Sequence, residues 1–211
     1  MSRKRRRRQN PYGNADFRTR AAKASGFAAR SVFKLEEIDR RLRLLKPGQK
    51  VLDLGASPGS WSAYAASRIG AQGKLVAIDL KPLTQPLPGY CTVLEGDAYD
   101  DRWLEDPDSP MVQSAPFDVV LSDMAPNTTG DRTTDKIRSH EVFMRALELG
   151  SRLVREGGSF VGKIFMGGDF PIARDEVRRH FENVRTLRPE AVRDVSYEVF
   201  LVGTNRRAAV P

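Results

Sequence analysis

Apolar positions along this chain change period several times, and each change marks an element. From Ser31 onward, Val32, Leu35, Ile38, Leu42 and Leu45 recur at helical spacing, with Arg40, Arg41 and Arg43 largely off the stripe. Lys46-Pro47-Gly48 is expected to end that helix. Short apolar runs of strand length then alternate with helical patterns. They predict strands over 50–54, 74–79, 91–95, 117–122, 158–165, 183–187 and 197–203, and helices over about 60–69, 137–155 and 171–182. Such alternation predicts an α/β fold, a mostly parallel sheet covered by helices on both faces. The acidic, proline-containing tract Asp100–Pro116 reads as an excursion before the fourth strand.

Length and composition narrow this picture. At 211 residues the chain is expected to form one domain with a sizeable core. No apolar run approaches the ~20 residues of a membrane span. The basic start lacks the apolar stretch of a secretory signal. Cys91 is the single cysteine, and His140 and His180 are the two histidines, so neither a disulfide nor a thiolate or imidazole metal site is expected. A cytoplasmic, metal-independent protein without a membrane partner follows, and nothing suggests an obligate dimer, so a monomer is expected.

Charge placement matters more than the net +8. Residues 1–46 hold fifteen Lys/Arg against four Asp/Glu, a balance of +11; the remaining chain holds twenty against twenty-three, a balance of −3. Arg3-Lys4-Arg5-Arg6-Arg7-Arg8 is an unbroken basic block. It is expected to be disordered when free and drawn to polyanions, RNA or DNA above a membrane surface, because no amphipathic apolar face accompanies it. Residues 1–29 therefore read as a basic, flexible segment and 30–211 as the folded domain.

The strand ends carry the candidate chemistry. Val51-Leu52-Asp53-Leu54 runs into Gly55-Ala56-Ser57-Pro58-Gly59-Ser60-Trp61, a tight loop opening a helix at the edge where α/β sheets bind ligands. Neither G-x-G-x-x-G nor G-x-x-x-x-G-K-[ST] is present, so a cofactor without phosphates fits better than a nicotinamide, and S-adenosylmethionine is such a ligand. The second strand ends on Asp79, suited to ribose hydroxyls, and the third leads to Asp97, suited to an exocyclic amine. Singly, these residues read as ordinary structure: turn glycines, a core tryptophan, helix-capping acids. Three successive apolar runs ending in acids favour a ligand site.

Two charges sit inside apolar strands. Lys163 lies in Phe160-Val161-Gly162-Lys163-Ile164-Phe165, and Glu198 in Tyr197-Glu198-Val199-Phe200. An unpaired buried ammonium is very costly, so Lys163 needs a partner or a lowered pKa. Glu198 is the expected counter-charge if the last strand runs antiparallel beside it. Asp123 ends the fourth strand at the same edge, and Lys34 sits between Phe33 and Leu35 on the first helix.

With Phe33-Lys34-Leu35-Glu36-Glu37-Ile38, the Gly55–Trp61 loop, Ser122-Asp123-Met124-Ala125-Pro126-Asn127, Gly157–Lys163 and Glu198-Val199-Phe200, the chain resembles the FtsJ-type large-subunit ribosomal RNA ribose 2′-O-methyltransferases from about Ser31 to Arg206. The resemblance implies the class I methyltransferase sheet, Rossmann-like, seven strands with the last antiparallel. It implies a catalytic tetrad on Lys34, Asp123, Lys163 and Glu198. It also implies S-adenosylmethionine contacts at Gly59, Trp61, Asp79, Asp97 and Asp123. The implied reaction is methylation of a ribose 2′-hydroxyl, of a uridine, with ribosomal RNA or the large ribosomal subunit as partner. Transfer RNA as substrate, and an RNA-binding assembly factor with a vestigial site, remain alternatives. The chain departs from the family at Ser57 and Ser60, where Ala and Gly are usual.

Overall fold

The computed structural model describes residues 17–192 and 196–208. The basic block at Arg3–Arg8 lies outside them. The elements in chain order are α1 (Phe17–Ala24), α2 (Val32–Leu42), β1 (Lys50–Leu54), α3 (Ser60–Ile69), β2 (Lys74–Asp79), β3 (Cys91–Glu95), α4 (Arg102–Glu105), α5 (Pro110–Ser114), β4 (Phe117–Ser122), α6 (Arg132–Leu153), β5 (Val154–Phe165), α7 (Phe170–His180), β6 (Phe181–Leu187) and β7 (Glu198–Arg206).

The strands form one seven-stranded sheet in the order β3-β2-β1-β4-β5-β7-β6. Strands β1 to β5 pair in parallel, whereas β7 runs antiparallel to both β5 and β6. The expected α/β sheet and its antiparallel last strand are both present. Side-chain alternation builds two cores. Leu52, Leu54, Val120, Phe160 and Ile164 face α6 and α7. Val51, Val119, Leu121, Val161 and Phe200 face α2 and α3. Each alternate residue thus belongs to the opposite face, as a strand covered on both sides requires. Among the described residues no helix is long and apolar enough to cross a membrane.

Three features depart from the expected elements. Helix α2 stops at Leu42 rather than at Lys46, because Arg43 turns left-handed (φ 53°). The buried Asp39 carboxylate then accepts the Leu45 amide at 2.8 Å, and Leu44 and Leu45 still reach the core beyond the helix end. The excursion before β4 contains α4 and α5, anchored by buried Trp103 and Met111. Helix α1 lies within the segment read as a basic tail; its Ala22 is fully buried.

Candidate active site

The carboxyl ends of β1, β2 and β4 are laced together by backbone. Gly55 and Ala56 donate to Ile78 O (2.9 and 3.1 Å), and the Asp123 amide donates to Leu54 O (3.2 Å). Gly55 holds φ 76°, and a Cβ there would fall 2.6 Å from Met124 Cγ, so glycine alone lets the first and fourth loops meet. Between these loops and the ends of β2 and β3 lies a cavity of about 630 Å³. Ser57, Asp79, Asp97, Tyr99, Asp123 and Asn127 are among its walls.

Each expected donor-side acid is held by its own loop. Asp79 accepts the amides of Ser57 (2.9 Å) and Lys81 (2.8 Å), which ties the first loop to the second strand. Asp97 accepts the Tyr99 amide at 2.9 Å, and its carbonyl receives the Trp103 indole N–H at 2.7 Å. Asp79, Asp97 and Asp123 line the cavity. Gly59 and Trp61 do not line it with side chains. Gly59 (φ 109°) caps α3, and Trp61 lies in that helix's first turn. The Trp61 ring is 2 % exposed and packs 5.6 Å from Phe200, with its indole donating to Ser31 O at 2.9 Å. The Gly59 amide is itself taken by Ala56 O, so neither the Trp61 side chain nor the Gly59 amide is presented to the cavity from these two positions.

The acceptor side is built from ion pairs. The Lys163 ammonium donates to Asp123 Oδ1 at 2.8 Å and also to the Asp123 carbonyl. Lys34 pairs instead with Glu198, and its Nζ lies 5.9 Å from the Phe200 ring centre. The expected Lys163–Glu198 pair is thus replaced by two others. The register explains the exchange: Phe200 lies opposite Lys163 on β7, while Glu198 lies opposite Phe165. Lys163 turns to the end of its parallel neighbour β4, and Glu198 turns to α2. Burial raises the Asp123 pKa, but the charges of Lys163 and Lys34 and the Lys163 hydrogen bond outweigh it, so the carboxyl sits below its ordinary range.

Two further buried acids support the strands and loop that frame the site. Asp53, fully buried, accepts the Ser62 hydroxyl at 2.6 Å, and its Oδ1 has no partner among the described residues. Burial, with smaller contributions from Asp123 and Asp79, raises its pKa to about 7 against the Ser62 bond. Asp135 accepts Thr129 N (2.7 Å), Thr129 Oγ1 (2.9 Å) and Gly130 N (3.2 Å), pinning the far end of the loop that follows Asp123. Backbone donation from Thr129 leads the lowering of its pKa. A helical first turn after a Thr-Gly loop is the signal that reveals such an acid.

Known proteins share this sequence pattern and fold. The family described as FtsJ-like methyltransferase matches residues 27–206. The ribosomal RNA large subunit methyltransferase E of Sorangium cellulosum is 57% identical over 95% of this chain and 92% of its own length. The protein of the same name from Bdellovibrio bacteriovorus is 45% identical over 93% and 99%. A crystal structure of a candidate ribosomal RNA methyltransferase from Plasmodium falciparum superposes with a TM-score of 0.75 at 24% identity, covering 87% of this chain and 100% of that one. The chain belongs to the FtsJ-like methyltransferase family.

Proposed function

We propose that this methyltransferase takes S-adenosylmethionine as donor and the 2′-hydroxyl of a ribose in large-subunit ribosomal RNA as acceptor. The observation that carries the reading is the double position of Asp123: it lines the acid-walled cavity and also holds Lys163. Donor and acceptor chemistry therefore meet at one residue. The relatives from Sorangium and Bdellovibrio carry the substrate class in their names.

The cavity suits the cofactor's charge. Its walls present Asp79, Asp97 and Asp123 against one lysine, Lys81. A cationic sulfonium and amine are favoured there, whereas a pyrophosphate would be repelled. Asp79 would hold the ribose hydroxyls and Asp97 the adenine amine, with Leu80 and Tyr99 offering apolar surface. The Trp61 amide, in the first turn of α3, would take the carboxylate. When bound, S-adenosylmethionine supplies a methyl group already activated by its sulfonium.

The chain's own work is on the acceptor. Asp123 occupies two hydrogen-bonding positions of Lys163 Nζ and leaves the remaining one for the ribose oxygen. An amine there would take the hydroxyl proton; an ammonium would donate to the developing alkoxide. Lys34, oriented by Glu198, would hold the target nucleotide or its phosphate. In-line placement of the reacting atoms should supply much of the rate. The test is a map of 2′-O-methyl positions in cellular RNA with and without the protein. A position lost from large-subunit ribosomal RNA is expected. A position lost from transfer RNA would reassign the substrate, and no loss from any RNA would refute the activity.

A further inference from the structure

A short strap, residues 25–31, links α1 to α2 and runs over the start of α3. Four hydrogen bonds hold it there. Gln85 Nε2 donates to Gly26 O at 3.0 Å, and Gln85 Oε1 accepts the Ala28 amide at 2.7 Å. Ser60 Oγ accepts the Ala29 amide at 2.7 Å, and the Trp61 indole donates to Ser31 O at 2.9 Å. The partners on the other side flank the loop that would receive the cofactor: Ser60 and Trp61 follow it, and Gln85 packs against it from the segment after β2. Ser60 and Trp61 open α3, directly after Gly59. The Gln85 backbone amide donates to Pro58 O at 3.0 Å, and a Cβ on Gly59 would fall 2.7 Å from Gln85 Cβ.

The strap also joins a cationic helix, α1, to the helix that carries Lys34. On one side α1 exposes Arg20 and Lys23; on the other, α2 carries Lys34 to its pair with Glu198. Ser60 stands where the family usually has glycine, which has no side-chain oxygen to accept the Ala29 amide. The departure noted in the sequence thus adds a tether between the loop and the strap.

We propose that Ser60 and Gln85 are positioning residues that couple the two substrates: a ligand on the Gly55–Gly59 loop stiffens the strap further through these bonds, and the stiffened strap binds RNA more tightly. The inference rests on the reading that this loop binds S-adenosylmethionine and that α1 and α2 face RNA. A ligand that stiffens the loop lowers the ordering cost left for the second substrate. Coupling of this kind is reciprocal, so RNA must tighten the cofactor by the same factor.

The experiment measures affinity of the full chain for an in vitro transcript of large-subunit ribosomal RNA, with and without saturating S-adenosylhomocysteine. Wild type is expected to bind RNA about tenfold more tightly with the ligand, inside the usual range for coupled sites. Ser60→Gly should reduce that ratio, and Ser60→Gly with Gln85→Leu should bring it to about twofold or less. Ser60→Gly restores the family's residue, which guards against a folding defect. Amide hydrogen exchange at Ala28 and Ala29 should slow with ligand in wild type and not in the double variant. A ratio of one in wild type that binds the ligand overturns the coupling. An undiminished ratio in the double variant overturns the role of the strap. If calorimetry finds no ligand binding at all, the cofactor reading itself falls and the coupling with it.

Discussion

The two halves of the sheet edge build function by different means. On the side of β1, β2 and β3, the acids are fixed by backbone amides: Asp79 by Ser57 and Lys81, Asp97 by Tyr99. On the side of β4, β5 and β7, charges hold one another: Asp123 with Lys163, and Glu198 with Lys34. The first arrangement makes a negative cavity from acids bonded to the backbone of their own or the adjacent loop. The second needs long side chains to meet across three separate strands and a helix. A binding surface can be assembled locally, whereas groups that act on a reacting oxygen must converge from far apart in the chain.

The acceptor half should be the more sensitive to substitution. Lys163→Ala is expected to lower kcat by roughly 10²–10⁴-fold, the usual contribution of a positioned acid or base. Calorimetry should find S-adenosylhomocysteine still bound, since Lys163 is not in the cavity wall. An equal loss of ligand binding would merge the two halves into one.

The two halves should also respond to pH in opposite directions. Asp53 has a folded pKa of about 7, above its unfolded value, so its contribution to stability is greatest in acid and declines as pH rises through that window. Asp123, whose pKa is lowered, stabilises above its unfolded value and loses that contribution as pH falls through its folded one. Urea unfolding of Asp53→Asn against wild type should therefore favour the variant by roughly 2–3 kcal/mol more at pH 8 than at pH 5. A difference independent of pH would show that Asp53 is not the buried, uncompensated acid described.

The pairing within the acceptor half can be tested by double-mutant cycles. Lys34→Ala and Glu198→Ala should be non-additive in stability, with a coupling of about 0.5–3 kcal/mol. Lys163→Ala and Glu198→Ala should couple more weakly than that. The reverse ranking would restore the pairing expected from sequence. The smallest effect is expected at Trp61→Phe, which keeps the ring against Phe200 and loses one hydrogen bond to Ser31 O. About 1 kcal/mol of stability should go, with cofactor affinity unchanged, because a ligand would meet the backbone there.

These contrasts explain what was legible in the sequence. Asp79 and Asp123 were visible because each ends an apolar run, and strand period alone puts such residues at the sheet edge. Lys163 was visible as a charge among apolar neighbours. Its neighbour Asp123 was legible too, at the end of the adjacent strand; that Glu198 pairs elsewhere was not, since it depends on the register of antiparallel β7, where Phe200 rather than Glu198 lies opposite Lys163. The role of the Trp61 indole was hidden for a similar reason: its acceptor, Ser31 O, belongs to a strap that has no periodicity of its own. Helix α1 was hidden because Ala22 is its one buried residue, too little to mark an apolar face.

The most direct test of the account incubates the protein with methyl-labelled S-adenosylmethionine and large-subunit ribosomal RNA, digests the RNA to nucleosides, and identifies the labelled product. The label is expected in a 2′-O-methylnucleoside with wild type and to be nearly absent with Lys163→Ala. Label in a base-methylated nucleoside, or undiminished 2′-O-methylation by Lys163→Ala, would contradict the assignment of Asp123 and Lys163 as the point where donor and acceptor meet.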